Sequence, residues 1–216
     1  SEYRMLGVIE IDDVMDVMEE ETTEDINLMA GMSGEERVDS TVLESAKSRI
    51  PWLIVNLFTA VMAAAVVANF ESTIAKVVSL SSVMSIVTGM GGNAGTQSLT
   101  ILCRGLSLGE VDKDNAFQIF CKEITVGLLS GIVIGIIVAI GAWWFASNPW
   151  FGLVAGLAMI LNMLAANIAG YLVPVILKRL NIDPALASGV FVTTVTDCMG
   201  FFFFLGLATL FLPLLI

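Results

Sequence analysis

In the apolar body of the chain, one ionisable side chain, Asp197, reads as lying well inside a hydrophobic segment, 13 residues beyond Pro184. At the rise of an α-helix that is roughly 20 Å along the axis. A carboxylate at such a depth costs about 2.5–3.5 kcal/mol on insertion scales, and intramembrane charges usually mark function. Gly189, Thr193, Asp197 and Gly200 recur at i, i+4, i+8 and i+11, on one helical face. Val190, Phe191, Val195, Phe202 and Phe203 fill the other side. So narrow a polar stripe predicts a cavity or a close helix contact. A second stripe, Gly89, Asn93, Thr96 and Thr100, repeats at i, i+4, i+7 and i+11. It runs through Gly-Met-Gly-Gly-Asn-Ala-Gly-Thr-Gln-Ser (89–98). Glycine lets backbone leave a helix, which would free carbonyls for a cation. The alternative use of such small residues is close helix packing.

The donors on these stripes are all oxygens. There is no histidine, and Cys103, Cys121 and Cys198 are scattered and form no CxxC pair. Each cysteine reads as a small buried hydrophobe, and Cys198 points about 100° away from Asp197 on a helix of 3.6 residues per turn. Carboxylate, hydroxyl and carbonyl oxygens without imidazole or thiolate select hard cations. Mg2+ keeps several waters and binds through one or two carboxylates, whereas one Asp per chain is too few for a dehydrated Ca2+. A twofold dimer with its axis along a pore would bring two Asp197 side chains to one ion and balance its charge. Enzyme chemistry is disfavoured: no base stands beside a Ser or Cys, and no second carboxylate stands near Asp197.

These stripes need membrane helices to carry them. Of the 216 residues, 56% are hydrophobic and 14% charged, against about 25% charged in soluble domains. Mean hydropathy is +0.87. Residues 1–50 hold fourteen acidic and four basic side chains, a net of −10, while 51–216 hold seven and six, a net of −1. The acidic head would repel nucleic acid. Five stretches are long enough to span: 52–70 (opened by Pro51), 77–103, 117–146, 150–177 and 184–214, with Pro149 and Pro184 at helix starts. A cytoplasmic amino terminus places Arg37, Lys47, Arg49, Arg104, Lys113, Lys122, Lys178 and Arg179 on the inner side and only Lys76 outside. The carboxyl terminus then lies outside the cytoplasm. In the head, 6–11 reads as a short strand and 12–29 as a helix, the end of a soluble domain; 31–50 reads as a polar connector. The expected fold is therefore an all-α membrane protein, and the chain reads as part of a longer one.

Gly-Met-Gly-Gly-Asn-Ala-Gly-Thr-Gln-Ser (89–98) and Asp-Pro-Ala-Leu-Ala-Ser-Gly-Val-Phe-Val-Thr-Thr-Val-Thr-Asp (183–197) resemble signature segments of the MgtE family of magnesium channels. Arg-Ile-Pro-Trp-Leu (49–53) is similar, and 17–26 resembles the end of that family's second CBS domain. The resemblance implies a homodimer, with five membrane helices per subunit behind a cytoplasmic connecting helix and one pore on the dimer axis. Asp197 of both subunits would bind hydrated Mg2+, with the Gly89 carbonyl, Thr96, Thr100 and Thr193 lining the pore; Asn93 joins them by its place on the stripe. Residues 1–30 would be the remnant of a CBS domain, 31–50 the connecting (plug) helix or linker, and 51–216 the pore domain. Cytoplasmic Mg2+ sensing would use Asp13, Asp16, Glu21, Glu24, Asp25 and Asp183. Two departures stand out: most of the sensing region lies outside this chain, and Ser85 replaces an expected helix-bending proline. The expected function is Mg2+ uptake through a channel. A Na+- or H+-coupled exchanger is the alternative, disfavoured by there being one intramembrane carboxylate, and an ion sensor that passes nothing is a third.

Overall fold

A computed structural model describes residues 8–34, 36–112, 114–186 and 188–216. Among these residues every regular element is helical. Val8, Ile9 and Glu10 form no strand, and Leu6 and Gly7 lie outside the described residues. The expected strand is replaced by the start of helix α1 (Ile11–Met29). The reason is local. The Glu10 N–H donates to Asp13 Oδ2 at 3.2 Å, and Asp12 and Asp13 sit in the first turn, where the helix dipole favours negative charge. Gly31, at φ +73°, then turns the chain away.

The connector is held by polar contacts. Asn27 Nδ2 donates to the carbonyls of Gly34 (3.2 Å) and Glu36 (3.1 Å). The Glu36 carboxylate accepts from the Arg49 guanidinium and from the Ser48 hydroxyl. Arg49 holds the Glu36 carboxyl below the usual glutamate range. Helix α2 (Val42–Ala68) starts earlier than Pro51 suggested, because Thr41 and Glu44 form a capping box. The Thr41 N–H donates to Glu44 Oε2 at 2.8 Å. Pro51 is therefore internal, and the stretch 42–50 is continuous with the first apolar segment rather than a separate connecting helix.

After a short helix α3 (Glu71–Lys76), the bundle comprises α4 (Leu80–Ser107), α5 (Ala116–Ala146), α6 (Pro149–Arg179), α7 (Ser188–Leu210) and a terminal turn α8 (Leu212–Leu215). Pro149 does sit at a helix start, where Asn148 Oδ1 accepts the Trp150 N–H at 2.9 Å. Pro184 does not. Asp183 Oδ1 accepts the Ala185 N–H at 2.8 Å and its carbonyl accepts the Leu186 N–H, so 183–186 close a turn and α7 begins at Ser188. Among the described residues four helices, α2, α5, α6 and α7, are long and apolar enough to cross a membrane by length and composition. The glycines, serines and threonines of α4 keep it out of that set despite its 28 residues.

Helix α6 is the axis of packing, with α4, α5 and α7 arranged against it. Val154, Ala155, Ala158 and Met159 on α6 are fully buried with Val87, Phe204 and Leu205. Small residues set the spacing. Gly127, Gly131 and Gly135 of α5 face α6, and a Cβ added at Gly135 would lie 2.9 Å from the Gly156 carbonyl oxygen. α2 stands apart, packed chiefly on α7, with Leu53, Leu57, Phe58 and Val61 exposed.

Candidate ion site

Asp197 is the tenth residue of the 23 in α7, near its middle. It is half-buried, and among the described residues nothing hydrogen-bonds to it or forms an ion pair with it. One turn before it, the Thr193 hydroxyl donates to the Gly189 carbonyl at 2.9 Å and lies 3.0 Å from that of Val190. That arrangement uses the hydroxyl hydrogen and leaves oxygen lone pairs to accept or coordinate. The two glycines of the same stripe have a different task. A Cβ at Gly189 would lie 2.5 Å from the Met29 carbonyl oxygen, and one at Gly200 would lie 2.8 Å from Asn162 Nδ2. The α7 stripe thus divides into packing glycines and two oxygen-bearing positions, Thr193 and Asp197.

On α4, Gly89, Asn93, Thr96 and Thr100 all lie on an exposed face. The helix runs unbroken through 89–98 and through Ser85, so the expected departure of backbone from the helix is not found. The physical reason is that the other glycines serve close packing. An added Cβ at Gly91 would sit 2.1 Å from Asn162 Nδ2, and one at Gly95 would sit 2.6 Å from Val192 Cγ1. Gly89 has open space where a Cβ would project. The Thr96 hydroxyl donates to the Gly92 carbonyl at 2.9 Å and the Thr100 hydroxyl to that of Thr96 at 2.8 Å. Here too the hydrogens are spent on the helix and the oxygens remain.

The two helices meet where Gly92 and Gly95 of α4 face Thr196 and Val192 of α7. Asn93 and Thr96 follow those glycines directly, and Thr193 and Asp197 follow the two α7 contact residues. The oxygen-bearing faces therefore adjoin the α4–α7 seam, each rotated about 100° from it. Fully buried Asn162 of α6 wedges into this junction, its Nδ2 donating to the Val87 carbonyl at 2.8 Å while Oδ1 has no partner among the described residues.

A second carboxylate corrects the reading of Asp197 as the one charge inside a span. Glu123 of α5 is 6% exposed and its Oε2 accepts the Ser98 hydroxyl at 2.7 Å. Glu123 directly follows Lys122, which the charge pattern places near an inner helix end. Asn162 and Asn167, amides in the midst of an apolar segment, were the sequence signal for these buried polar positions. Of the cysteines, Cys103 is buried as expected, whereas Cys121 is exposed and Cys198 half-buried.

The acidic head residues fall into two groups. Asp25 feels the charges of Asp183 and Glu21 and accepts a hydrogen bond from Ser107. Burial first, then Asp183 and Glu21, push its carboxyl above the usual range. Asp16 and Glu24 instead line an open cleft of about 880 Å³ with Glu19, Glu20 and Glu36. Asp13 is exposed. No three Asp, Glu, Cys or His side chains among the described residues are grouped closely enough to share a metal.

Long apolar helices packed around a glycine-lined seam fit an integral membrane protein. The chain belongs to the MgtE family of divalent cation transporters, whose family pattern matches residues 84–207, as the motifs at 89–98 and 183–197 implied. It is 36% identical over 210 residues to the magnesium transporter MgtE of Enterococcus faecalis. It is 32% identical over 208 residues to that of Bacillus subtilis and 33% over 213 to that of Thermus thermophilus. These alignments take in 96%, 96% and 98% of this chain but 46%, 46% and 47% of the relatives. The chain spans about half the length of the curated relatives it matches.

Proposed function

We propose that this chain forms the pore of a Mg2+ channel, with the ion as cargo and Asp197 of two subunits as its charged ligands. The observation that carries this reading is the carboxylate itself: half-buried, in the middle of an apolar helix, and without a hydrogen-bond or ion-pair partner among the described residues. Gly89, Asn93, Thr96, Thr100 and Thr193 supply further oxygens on adjoining faces. In this reading α4 is the fifth span, tolerated in the bilayer because its polar face is turned to the pore. The relatives bear the name magnesium transporter, which points to the same cargo. A negative-inside potential of about 100 mV contributes about 2.3 kcal/mol per charge, so flux needs no coupled energy source.

Residues 1–30 are proposed as the end of a cytoplasmic CBS domain, 31–50 as a connector continuous with α2, and 51–216 as the pore domain. The amino terminus lies in the cytoplasm and the carboxyl terminus outside. Supporting this orientation, Lys178 Nζ donates to the Leu106 carbonyl at 2.9 Å, which ties the basic ends of α6 and α4 together; Lys113 lies outside the described residues. Asp25, Asp183 and Glu21 form the regulatory contact. A divalent cation held between Asp25 and Asp183 would relieve their repulsion and draw α1 onto the loop before α7. Asp13, Asp16 and Glu24 belong to the same acidic surface.

Mg2+ flux into liposomes tests the central reading. Wild-type protein should carry Mg2+ without a counter-ion gradient, and Asp197→Asn should lose at least tenfold. Unchanged flux in the variant would reject Asp197 as the pore ligand. Glu123 supports a second reading, since it removes the objection that an exchanger lacks a second intramembrane carboxylate. Strict dependence of flux on an opposing Na+ or H+ gradient would establish that reading instead.

A further inference from the structure

We propose a second cation site within the bundle, distinct from Asp197: a Na+ site whose charged ligand is Glu123, in the groove between α4 and α5. The two helices touch each other little while both pack on α6. What remains between them is a cavity of about 230 Å³ with Gln97, Ser98, Glu123, Ser130 and Asn167 on its walls and Lys122 at its edge. At roughly 30 Å³ per liquid water, it has room for an ion with several waters.

The carboxylate in this groove is incompletely satisfied. Oε2 accepts the Ser98 hydroxyl at 2.7 Å. Oε1 accepts no hydrogen bond from the described residues. The nearest cation is the Lys122 ammonium at 3.8 Å, on a side chain that is 61% exposed while that of Glu123 is 7% exposed. A buried carboxylate facing a cavity with so loose a partner is strongly unfavourable unless something else neutralises it. The available donors are one carboxylate, hydroxyls and side-chain amides, all hard oxygens. Charge selects among hard cations. Na+ balances Glu123 one for one, and the exposed Lys122 swings outward. Mg2+ would leave a buried positive charge uncompensated, because none of the other described residues lining the groove is a carboxylate. This proposal extends the transport reading without resting on it, since ion binding is measured independently of flux.

Equilibrium binding of 22Na+ to the purified protein, with choline replacing Na+ at constant ionic strength, is the test. Wild type and Asp197→Asn should each hold one Na+ per chain and unfold at higher temperature in NaCl than in choline chloride. Glu123→Gln should bind at least tenfold more weakly and lose the thermal shift. Should Glu123→Gln fail to fold, Ser98→Ala, which removes one oxygen, should still weaken binding severalfold. Absence of saturable Na+ binding by wild type, or full binding by Glu123→Gln, would overturn the proposal. A thermal shift that follows pH but not Na+ would assign the groove to a proton and overturn it equally.

Discussion

Asp197 sits near the middle of a 23-residue apolar helix with no hydrogen-bond donor beside it among the described residues. In the proposed pore, an ion, water or a second copy of the chain would be what keeps it ionised. Because no hydrogen bond or ion pair to the described residues is lost, Asp197→Asn should leave stability within about 0.5 kcal/mol of wild type while cutting Mg2+ flux at least tenfold; thermal unfolding alongside the flux assay separates the two effects. Asp25 presents a different case, a carboxylate partly buried and then crowded by the like charges of Asp183 and Glu21. Its folded-state pKa lies above its ordinary value of 3.8. The folded form therefore binds the proton more tightly than the unfolded chain does, and this contribution is present at low pH and lost as pH rises through the raised value. Amide exchange at 27–31, corrected for intrinsic rates, should slow as pH falls from neutrality towards that value. Asp25→Asn should be slow throughout, and added Mg2+ should mimic acid in wild type.

Among the helices, glycine decides which surfaces meet and which stay open. Gly152 touches its neighbour so closely that an added Cβ would lie 2.4 Å from the Ala139 carbonyl oxygen, whereas Gly141 has nothing within 4 Å. Gly152→Ala should destabilise the bundle by about 1–3 kcal/mol and Gly141→Ala should be neutral, as read from detergent unfolding midpoints. The same contrast exists within α4. Gly91→Ala collides with Asn162, while Gly89→Ala meets open space and should keep the fold but reduce flux by narrowing the passage. The extents of α5 and α6 were legible in the sequence because hydropathy alone sets them. The starts of α2 and α7 were not, because a capping box at Thr41 and an Asp183 turn override the prolines. Glycine content marked α4 as special but did not reveal that the helix stays whole. That depends on α6 and α7 filling the notches, which is tertiary information.

In the molecule as a whole, α2 presents Leu53, Leu57, Phe58 and Val61 outward and leans chiefly on α7. The α4 face with Asn93, Thr96 and Thr100 is left open. A polar face open to hydrocarbon is untenable, so the proposed dimer should be obligatory. Light scattering of the purified protein should give two chains per particle, and Thr96→Leu should not restore a monomeric, conducting form. Spacing along the sequence placed Thr193 and Asp197 on one helical face and Thr96 on another, and the structure keeps them there. That spacing was silent on Glu123 and Asn162, whose roles depend on partners 25 and 75 residues away.

The polarity of α4 also bears on how the protein is made. A ribosome delivers this helix before α6 and α7, the neighbours that fill its notches, have been synthesised. Left alone in lipid, its hydroxyls and bare glycines would gain little from insertion. It should therefore linger at the insertion machinery, and enter the bilayer only when the later helices arrive to collect it. Arresting synthesis after α5 should leave α4 accessible to water-soluble thiol reagents at an engineered cysteine, and release after α7 should protect it.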